Sequence, residues 1–325
     1  MRLGNPPRQT LVLPCQDVVR RVERVVVVVI TFNSETVLPG LIRSLNLGLG
    51  DVAWELIVAD NDSTDGSLAV VRELAPSARV VEMGRNAGYA AGINAAISCA
   101  GEHSAVLVLN PDVRLAPGCV PELLRALRKP GTGIAVPRLL DRNGELVASM
   151  RREPTLARAW ADALIGASNA GRYPKFGEIV TTKEEYAREC LPDWAEGSVQ
   201  LISAECLSRC GPWDESFFLY SEETEYNLRA RDAGYATRFV PSAGAVHLKG
   251  ESTKSPGLWR LLVLNRVRLY RRRNGAVKGS AFWAAVLLRE SSRSLFGRAT
   301  ARAAAKALVS PRRWREPAGP QVVHV

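Results

Sequence analysis

Six β-branched residues in a row, Val25–Ile30, constrain this chain more than any other feature. A run with no polar alternation cannot make a half-exposed strand, so it must form a strand covered on both faces. It also falls well short of the ~18 residues that a membrane-spanning helix needs. Arg24–Phe32 is therefore read as a buried strand, and a rhythm follows from it. Glu35–Leu45 carries Leu38, Leu41, Ile42 and Leu45 at helical spacing, and Trp54–Ala59 is a second strand ending at Asp60. Gly66–Leu74 is helical, Arg79–Glu82 a short strand, and Gly88–Cys99 an alanine-rich helix. Ala105–Leu109 is a further apolar strand ending at Asn110, and Cys119–Leu127 is again helical. Apolar strands alternating with helices predict an α/β domain whose central sheet is mostly parallel and flanked by helices. Ligands of such sheets bind beyond the carboxyl ends of the strands, so the polar residues just after each strand are the candidates for chemistry.

From Gly133 to about Asp193 prolines and glycines break the pattern, and few elements are expected. Beyond it Ser198–Ser203, Ala236–Val240 and Ala243–His247 read as strands, and Glu222–Asp232, Leu258–Arg273 and Ser280–Leu308 as helices. Charge divides the chain more sharply than hydropathy does. Residues 258–325 carry fifteen Lys/Arg against two acids, Glu290 and Glu316, whereas the rest of the 325 residues is slightly acidic within a net of +10. Three regions are expected: a Pro- and Arg-punctuated extension over 1–22, a catalytic domain over 23–257, and a basic helical region over 258–325. At helical pitch Leu258, Trp259, Leu262, Val263, Leu269 and Tyr270 share one arc, and Arg260, Arg268, Arg271 and Arg272 the other. Arg266 and Arg273 intrude on the apolar side. That pattern fits either a solvated helical appendage packed on the domain or docking on anionic lipid. The amino terminus has no signal-peptide core, so the expectation is a cytoplasmic protein, peripheral on the cytoplasmic membrane face. Six scattered cysteines and three histidines point to free thiols rather than a zinc site. No nucleic-acid recognition motif accompanies the basic charge, so no nucleic-acid partner is expected.

Four strand tips carry the chemistry. Asp60-Asn61-Asp62-Ser63-Thr64-Asp65 precedes a helix; one side chain must cap it, but capping does not account for three carboxylates in six residues. A carboxylate at a strand tip suits a base imide or a ribose hydroxyl, which favours Asp60 and Asp62. Asn110-Pro111-Asp112 presents two oxygen ligands to one side of a turn. Such a pair is an Asx-turn or, at the end of a central strand, a site for Mg²⁺ or Mn²⁺ bound together with a diphosphate. Arg85, ahead of Gly88 and Gly92, offers a phosphate partner. In Trp213-Asp214-Glu215-Ser216-Phe217-Phe218-Leu219-Tyr220-Ser221-Glu222-Glu223-Thr224-Glu225, carboxylates follow an aromatic run. On a helix Glu222 and Glu225 share a face. A helix-start acidic run favours the dipole, and carboxylates beside an apolar wall can also serve as bases. His247 lies after a strand, where a histidine is ordinarily structural but can also close a divalent site opened by Asp112.

Val27–Glu35, Asp60–Ser67, Arg85–Gly92, Asn110–Asp112, Phe217–Arg229 and His247–Thr253 together resemble the family 2 glycosyltransferases with a GT-A fold, and within them the bacterial rhamnosyltransferase-like branch. The resemblance covers roughly Arg24 to Thr253. It implies a GT-A nucleotide-sugar-binding fold and inverting transfer of a sugar, L-rhamnose, from a dTDP or UDP donor. The hydroxyl acceptor would be a glycan or a polyprenyl-diphosphate-linked saccharide. It further implies that Thr31, Asn33, Glu35, Asp60, Asp62, Arg85 and Asn110 contact the nucleotide. Asp112 and His247 would hold Mg²⁺ or Mn²⁺, and Trp213, Asp214 and Tyr220 would face the acceptor. Two positions depart from the family pattern. Asn110 replaces the first acid of the metal motif, and Glu222-Glu223 stands where Glu-Asp is usual, so the base is Glu223 or Glu222. A catalytically degenerate nucleotide-sugar-binding subunit is the alternative these departures raise. A transferase with another donor sugar and a non-lipid acceptor is the other. A sugar nucleotidyltransferase would need a Gly-rich basic loop after the first strand, where this chain has Thr31-Phe32-Asn33-Ser34-Glu35.

Overall fold

The computed structural model describes residues 23–248, 255–315 and 319; the expected extension over 1–22 and the end of the His247–Thr253 motif lie outside them. The first half alternates as expected: β1 (Arg24–Thr31), α1 (Leu38–Leu49), β2 (Ala53–Asp60), α2 (Ser67–Leu74), β3 (Arg79–Glu82), α3 (Tyr89–Ser98) and β4 (Ala105–Leu109). Then come β5 (Val113–Leu115), α4 (Cys119–Leu127), β6 (Thr132–Leu140), β7 (Met150–Arg151), α5 (Leu156–Ile165), α6 (Ala167–Ala170), β8 (Trp194–Ala195), β9 (Val199–Ser203), α7 (Ala204–Cys210), α8 (Glu222–Asp232) and β10 (Ala236–His247). Eight strands form one sheet in the order β3-β2-β1-β4-β9-β6-β10-β5, and β7 with β8 makes a small second sheet. Four of the seven neighbouring pairs are parallel; β9 runs against both β4 and β6, and β5 runs against β10.

The valine run accounts for the layering. Val25, Val27 and Val29 point into one core with α1 and α4, and Val26, Val28 and Ile30 into another with α3, α7 and α8. None of the six is more than 5% exposed, as a strand covered on both faces requires. The sheet is thus mostly parallel, with β9 and the short edge strand β5 as the exceptions that the alternation did not foretell.

The stretch from Gly133 is better ordered than expected. β6 is nine residues long despite Pro137, because Pro137 lies beyond the two residues that pair with β9 and at a register shift against β10. There its missing N–H interrupts no ladder. β10 is a single strand where two were expected, with the irregularity falling at Val240/Gly244.

The basic region is a helical hairpin. α9 (Pro256–Leu295) breaks at Gly275, whose φ of 81° and ψ of 176° turn the chain back, so that Tyr270 stacks on Phe282 at 4.0 Å. α10 (Ala299–Leu308) and α11 (Pro311–Arg315) follow. The helix expected over Ser280–Leu308 is therefore split, with Gly297 (φ 80°) at the break. Among the described residues no helix is long and apolar enough to cross a membrane.

Candidate active site

The loops after β1 and β2 interlock. Thr31 Oγ1 donates to Asp60 Oδ1 at 2.7 Å, and the other Asp60 oxygen accepts from the Ser63 amide at 3.0 Å. Asn33 Oδ1 accepts from the Thr64 amide at 2.8 Å, and Glu35 Oε2 from the Gly66 amide at 3.1 Å. The backbone is left-handed at Asn33 (φ 48°) and Asp62 (φ 67°), a conformation these two residue types tolerate better than most. Asp60 is 2% exposed with both oxygens engaged, so its first effect is to hold this loop pair open at the sheet edge. Asp62, in the same loop, and Arg85, beyond the tip of β3, are exposed to solvent.

Asp112 and His247 meet for a topological reason. β5 begins one residue after Asp112 and pairs with the end of β10, His247 opposite Val113. That register sets His247 Nε2 3.2 Å from Asp112 Oδ1. His247 Nδ1 is buried without a hydrogen-bond partner. Next to them Tyr89 donates its hydroxyl to Asn110 Oδ1 at 2.7 Å. Burial, and then the charges of Glu222, Glu223 and Asp112, hold the Tyr89 phenol well above its ordinary pKa, so it remains a donor. The Tyr89 bond takes up one lone pair of the Asn110 oxygen.

The opposite wall is the start of α8. Ser221, Glu222, Glu223 and Thr224 all line a cavity of about 760 Å³ together with Asn110, Asp112, His247, Tyr89 and Tyr220. The helix presents its first turn end-on. Glu222 and Glu223 therefore both reach the cavity, while Glu225 turns away to pair with Arg229 at 2.8 Å. Of the two residues expected to share one face, with Glu223 pointing elsewhere, only Glu222 lines the cavity, and Glu223 joins it there. Buried Asn227 fixes this turn: it donates to the Glu223 carbonyl at 2.9 Å and to Gln200 on β9, and accepts from Thr237 on β10. Each carboxylate keeps one oxygen buried without a partner. Burial pushes the Glu223 pKa up to about 7, with Glu196 adding to the rise and Arg151 opposing it. Glu222 is raised well above the usual carboxylate range by burial and by its neighbour Glu223. Burial thus raises both adjacent carboxylates, and the charge of Glu223 adds to the rise at Glu222.

The hairpin closes the cavity. Leu258, Trp259, Leu262, Val263 and Leu269 from the first arm of α9, and Val286 from the second, add an apolar half to the polar one. The intruding Arg266 now has a reason. It is buried against Glu178 (2.6 Å) and Asp162 (3.5 Å), and Arg289 from the second arm meets the same Asp162 at 3.0 Å. Arg273, the other intruder, pairs with Asp232 and Glu153.

Two of the three residues expected to face the acceptor lie elsewhere. Trp213 is 2% exposed and stacks on Tyr226 at 4.5 Å, within the core between α8 and the sheet. Asp214 caps Ser216 and pairs with Arg272 at 3.0 Å. Tyr220 does line the cavity. The aromatic run before Glu222 is therefore largely a packing stripe. Sequence reasoning missed Tyr89, the Arg151–Glu196 ion pair and the α9 lining. Glu196 precedes β9 and Arg151 falls in the stretch read as featureless, so neither sat beside a motif that would flag it.

Comparison with known proteins accords with this arrangement. Residues 26–182 match the Glycosyl transferase family 2 profile. The chain is 30% identical over 240 residues to N-acetylglucosaminyl-diphospho-decaprenol L-rhamnosyltransferase of Mycobacterium tuberculosis, covering 70% of this chain and 76% of that protein. The chain belongs to glycosyltransferase family 2. A second relative of this family 2 glycosyltransferase is the low-salt glycan biosynthesis hexosyltransferase Agl10 of Haloferax volcanii. It is 31% identical over 196 residues, 58% of this chain and 57% of the relative. In three dimensions the chain is similar to the mannosyltransferase PcManGT of Pyrobaculum calidifontis, solved with GDP-Man and Mn²⁺. The TM-score is 0.54 at 18% identity, with 88% of this chain and 75% of that one covered. The GT-A architecture expected of this family 2 glycosyltransferase is therefore the one it has, and it is a rhamnosyltransferase-like glycosyltransferase.

Proposed function

We propose that this glycosyltransferase moves L-rhamnose, with inversion, from a dTDP or UDP donor to a hydroxyl of a polyprenyl-diphosphate-linked saccharide. The observation that carries the reading is the convergence of Glu222 and Glu223 with Asp112 and His247 on one cavity. Glu223 takes the proton of the acceptor hydroxyl as that oxygen bonds to the anomeric carbon. The bond from the anomeric carbon to the diphosphate oxygen breaks in the same step, and the nucleoside diphosphate leaves. Glu222, held protonated, keeps a second negative charge out of the site. Asn110 donates from its NH₂ to the donor while Tyr89 holds its oxygen.

Asp112 and His247 are ligand types that Mg²⁺ and Mn²⁺ accept, and they already meet at 3.2 Å, so they fit a divalent cation. Among the described residues no third His, Cys, Asp or Glu joins them, which leaves the remaining positions to the donor's diphosphate and water. When bound, such a cation supplies charge neutralisation on the departing diphosphate. The interlocked loops of Thr31, Asn33, Glu35, Asp60 and Asp62, with Arg85 beside them, hold the nucleoside. The acceptor assignment rests on the apolar α9 wall and on the decaprenyl-linked substrate in the mycobacterial relative's name. The test is nucleotide release by the purified protein across a panel of nucleotide sugars with a lipid-linked N-acetylglucosamine acceptor. Release confined to donors other than the rhamnosyl ones would refute the sugar assignment. No release with any donor, alongside intact nucleotide binding, would favour the binding-subunit reading.

A second reading concerns the basic region, which we infer to be a membrane-docking device operating at the cytoplasmic face. At the start of α10 and along it, Arg298, Arg302 and Lys306 are exposed at i, i+4 spacing opposite buried Ala301, Ala304 and Leu308. Exposed Leu295 (88%), Phe296 (85%) and Val309 (59%) flank that stripe. This is the composition of an interfacial helix. Flotation with phosphatidylglycerol vesicles tests it. Changing Arg298, Arg302 and Lys306 to Gln should remove about 3 kcal/mol of attraction, roughly a 100-fold weaker partition. Equal flotation of both proteins would refute it.

A further inference from the structure

Tyr220 (φ 66°) and Ser221 (φ 76°) are two consecutive non-glycine residues with left-handed backbone, set immediately before Glu222. That conformation is sparsely populated for such residues and persists only where the surroundings over-determine it. Ser221 is the N-cap of α8, yet its side chain makes no capping hydrogen bond; Asn227 holds the turn after it, at Glu223, but not the Leu219–Ser221 turn before it.

The hold comes from α9. Asn265, on its first arm, is fully buried among Leu261, Val263, Leu264 and Leu269. Its NH₂ donates to the Leu219 carbonyl at 3.0 Å and to the Tyr220 carbonyl at 3.2 Å, and its oxygen accepts from Arg268 at 3.1 Å. Every hydrogen-bonding direction that points at the turn is used, and the two carbonyls it grips belong to the peptides on either side of the left-handed Tyr220. The grip extends along the same helix face. Leu261, one turn earlier, packs on Phe218, and Arg272, two turns later, bonds Asp214 and Ser216 and lies over the Phe217 ring. From the other side Gly88 seats its backbone against Phe218, where a Cβ would meet the Phe218 carbonyl at 2.4 Å. The Tyr89 amide donates to that same carbonyl at 2.8 Å.

We propose that Asn265 is a positioning residue: it locks the Leu219–Ser221 turn and thereby aims Glu222 and Glu223 into the cavity. The basic region then belongs to the catalytic apparatus, because α9 grips the carbonyls of the turn that leads into α8. The proposal rests on the reading of Glu223 as base, and its test separates the two. Full-length protein is compared with Asn265→Leu, which keeps volume and loses both donors, and with Asn265→Asp, which keeps the Arg268 bond and loses the same donors. Hydrogen exchange of the 217–224 amides is measured beside steady-state kinetics. The expected result is faster exchange in that segment with β1–β4 unchanged, a kcat lower by about tenfold or more, and a donor KM within about twofold of the original. Unchanged exchange over 217–224 in the variant that folds would overturn the clamp. Faster exchange with unaltered kcat would overturn the positioning role. If the unaltered protein transfers no sugar, the base assignment fails and exchange alone decides the clamp.

Discussion

Replacing Glu223 with Gln removes the group on which the chemistry turns while keeping its shape. Burial has raised this carboxyl to about 7, from an ordinary value of 4.5. Ionising it in the folded protein at pH 8 therefore costs up to about 3 kcal/mol relative to the unfolded chain, at 1.36 kcal/mol per pKa unit. The sign follows from proton counting. Between 4.5 and 7 the folded state binds the extra proton, so this group's contribution to stability declines as pH rises through that window. Glu223→Gln is freed from that decline. Thermal unfolding at pH 5.5 and pH 8 should show the variant's stability relative to the unaltered protein rising by about 2 kcal/mol between the two. Turnover should move the opposite way, falling by about 10²–10⁴-fold, the range general-base catalysis supplies. In the unaltered protein the rate should climb with pH through about 7, as the base loses its proton. A variant with near-normal turnover, or with the same pH dependence of stability as its parent, would refute the reasoning at its root.

Two further outcomes follow from the same geometry. Asp112→Asn should weaken Mn²⁺-dependent binding of UDP or dTDP by about a hundredfold in titration calorimetry, the upper range for disturbing a metal site, and leave metal-free binding unchanged. Arg266→Met should lower stability by about 3 kcal/mol in denaturant unfolding, because Glu178 is left without its cation and Asp162 keeps only Arg289.

Much of this was legible before the fold was known, and the boundary of legibility is physical. Periodicity located β1 through β4, and α4, within a few residues, since each element has its own apolar pattern and its own stop, such as Asp60 or Asn110; the short β5 between them went unread. That His247 could close a site opened by Asp112 was legible as one option from the residues and was strengthened by the family resemblance; the cause, the antiparallel β5–β10 register, lies in strands about 130 residues apart. β6 was hidden because Pro137 argues against a strand unless the bulge opposite is known. Trp213 misled for the converse reason: an aromatic beside carboxylates looks like a sugar platform, and only its stacking on Tyr226 shows that it is core. The intrusion of Arg266 into an apolar arc spoiled the amphipathic pattern, and its carboxylate partners, Glu178 and Asp162, lie in the stretch that read as featureless. Asn265 left no signal at all, since a buried amide on a helix declares itself only through the carbonyls it meets.

The most direct test of the central claim is the anomeric configuration of the product, read by proton NMR as the purified protein consumes a rhamnosyl nucleotide in the presence of a lipid-linked N-acetylglucosamine acceptor. Single displacement with Glu223 as base predicts inversion at the anomeric carbon, with nucleoside diphosphate released in equal amount. Retention of configuration would contradict it.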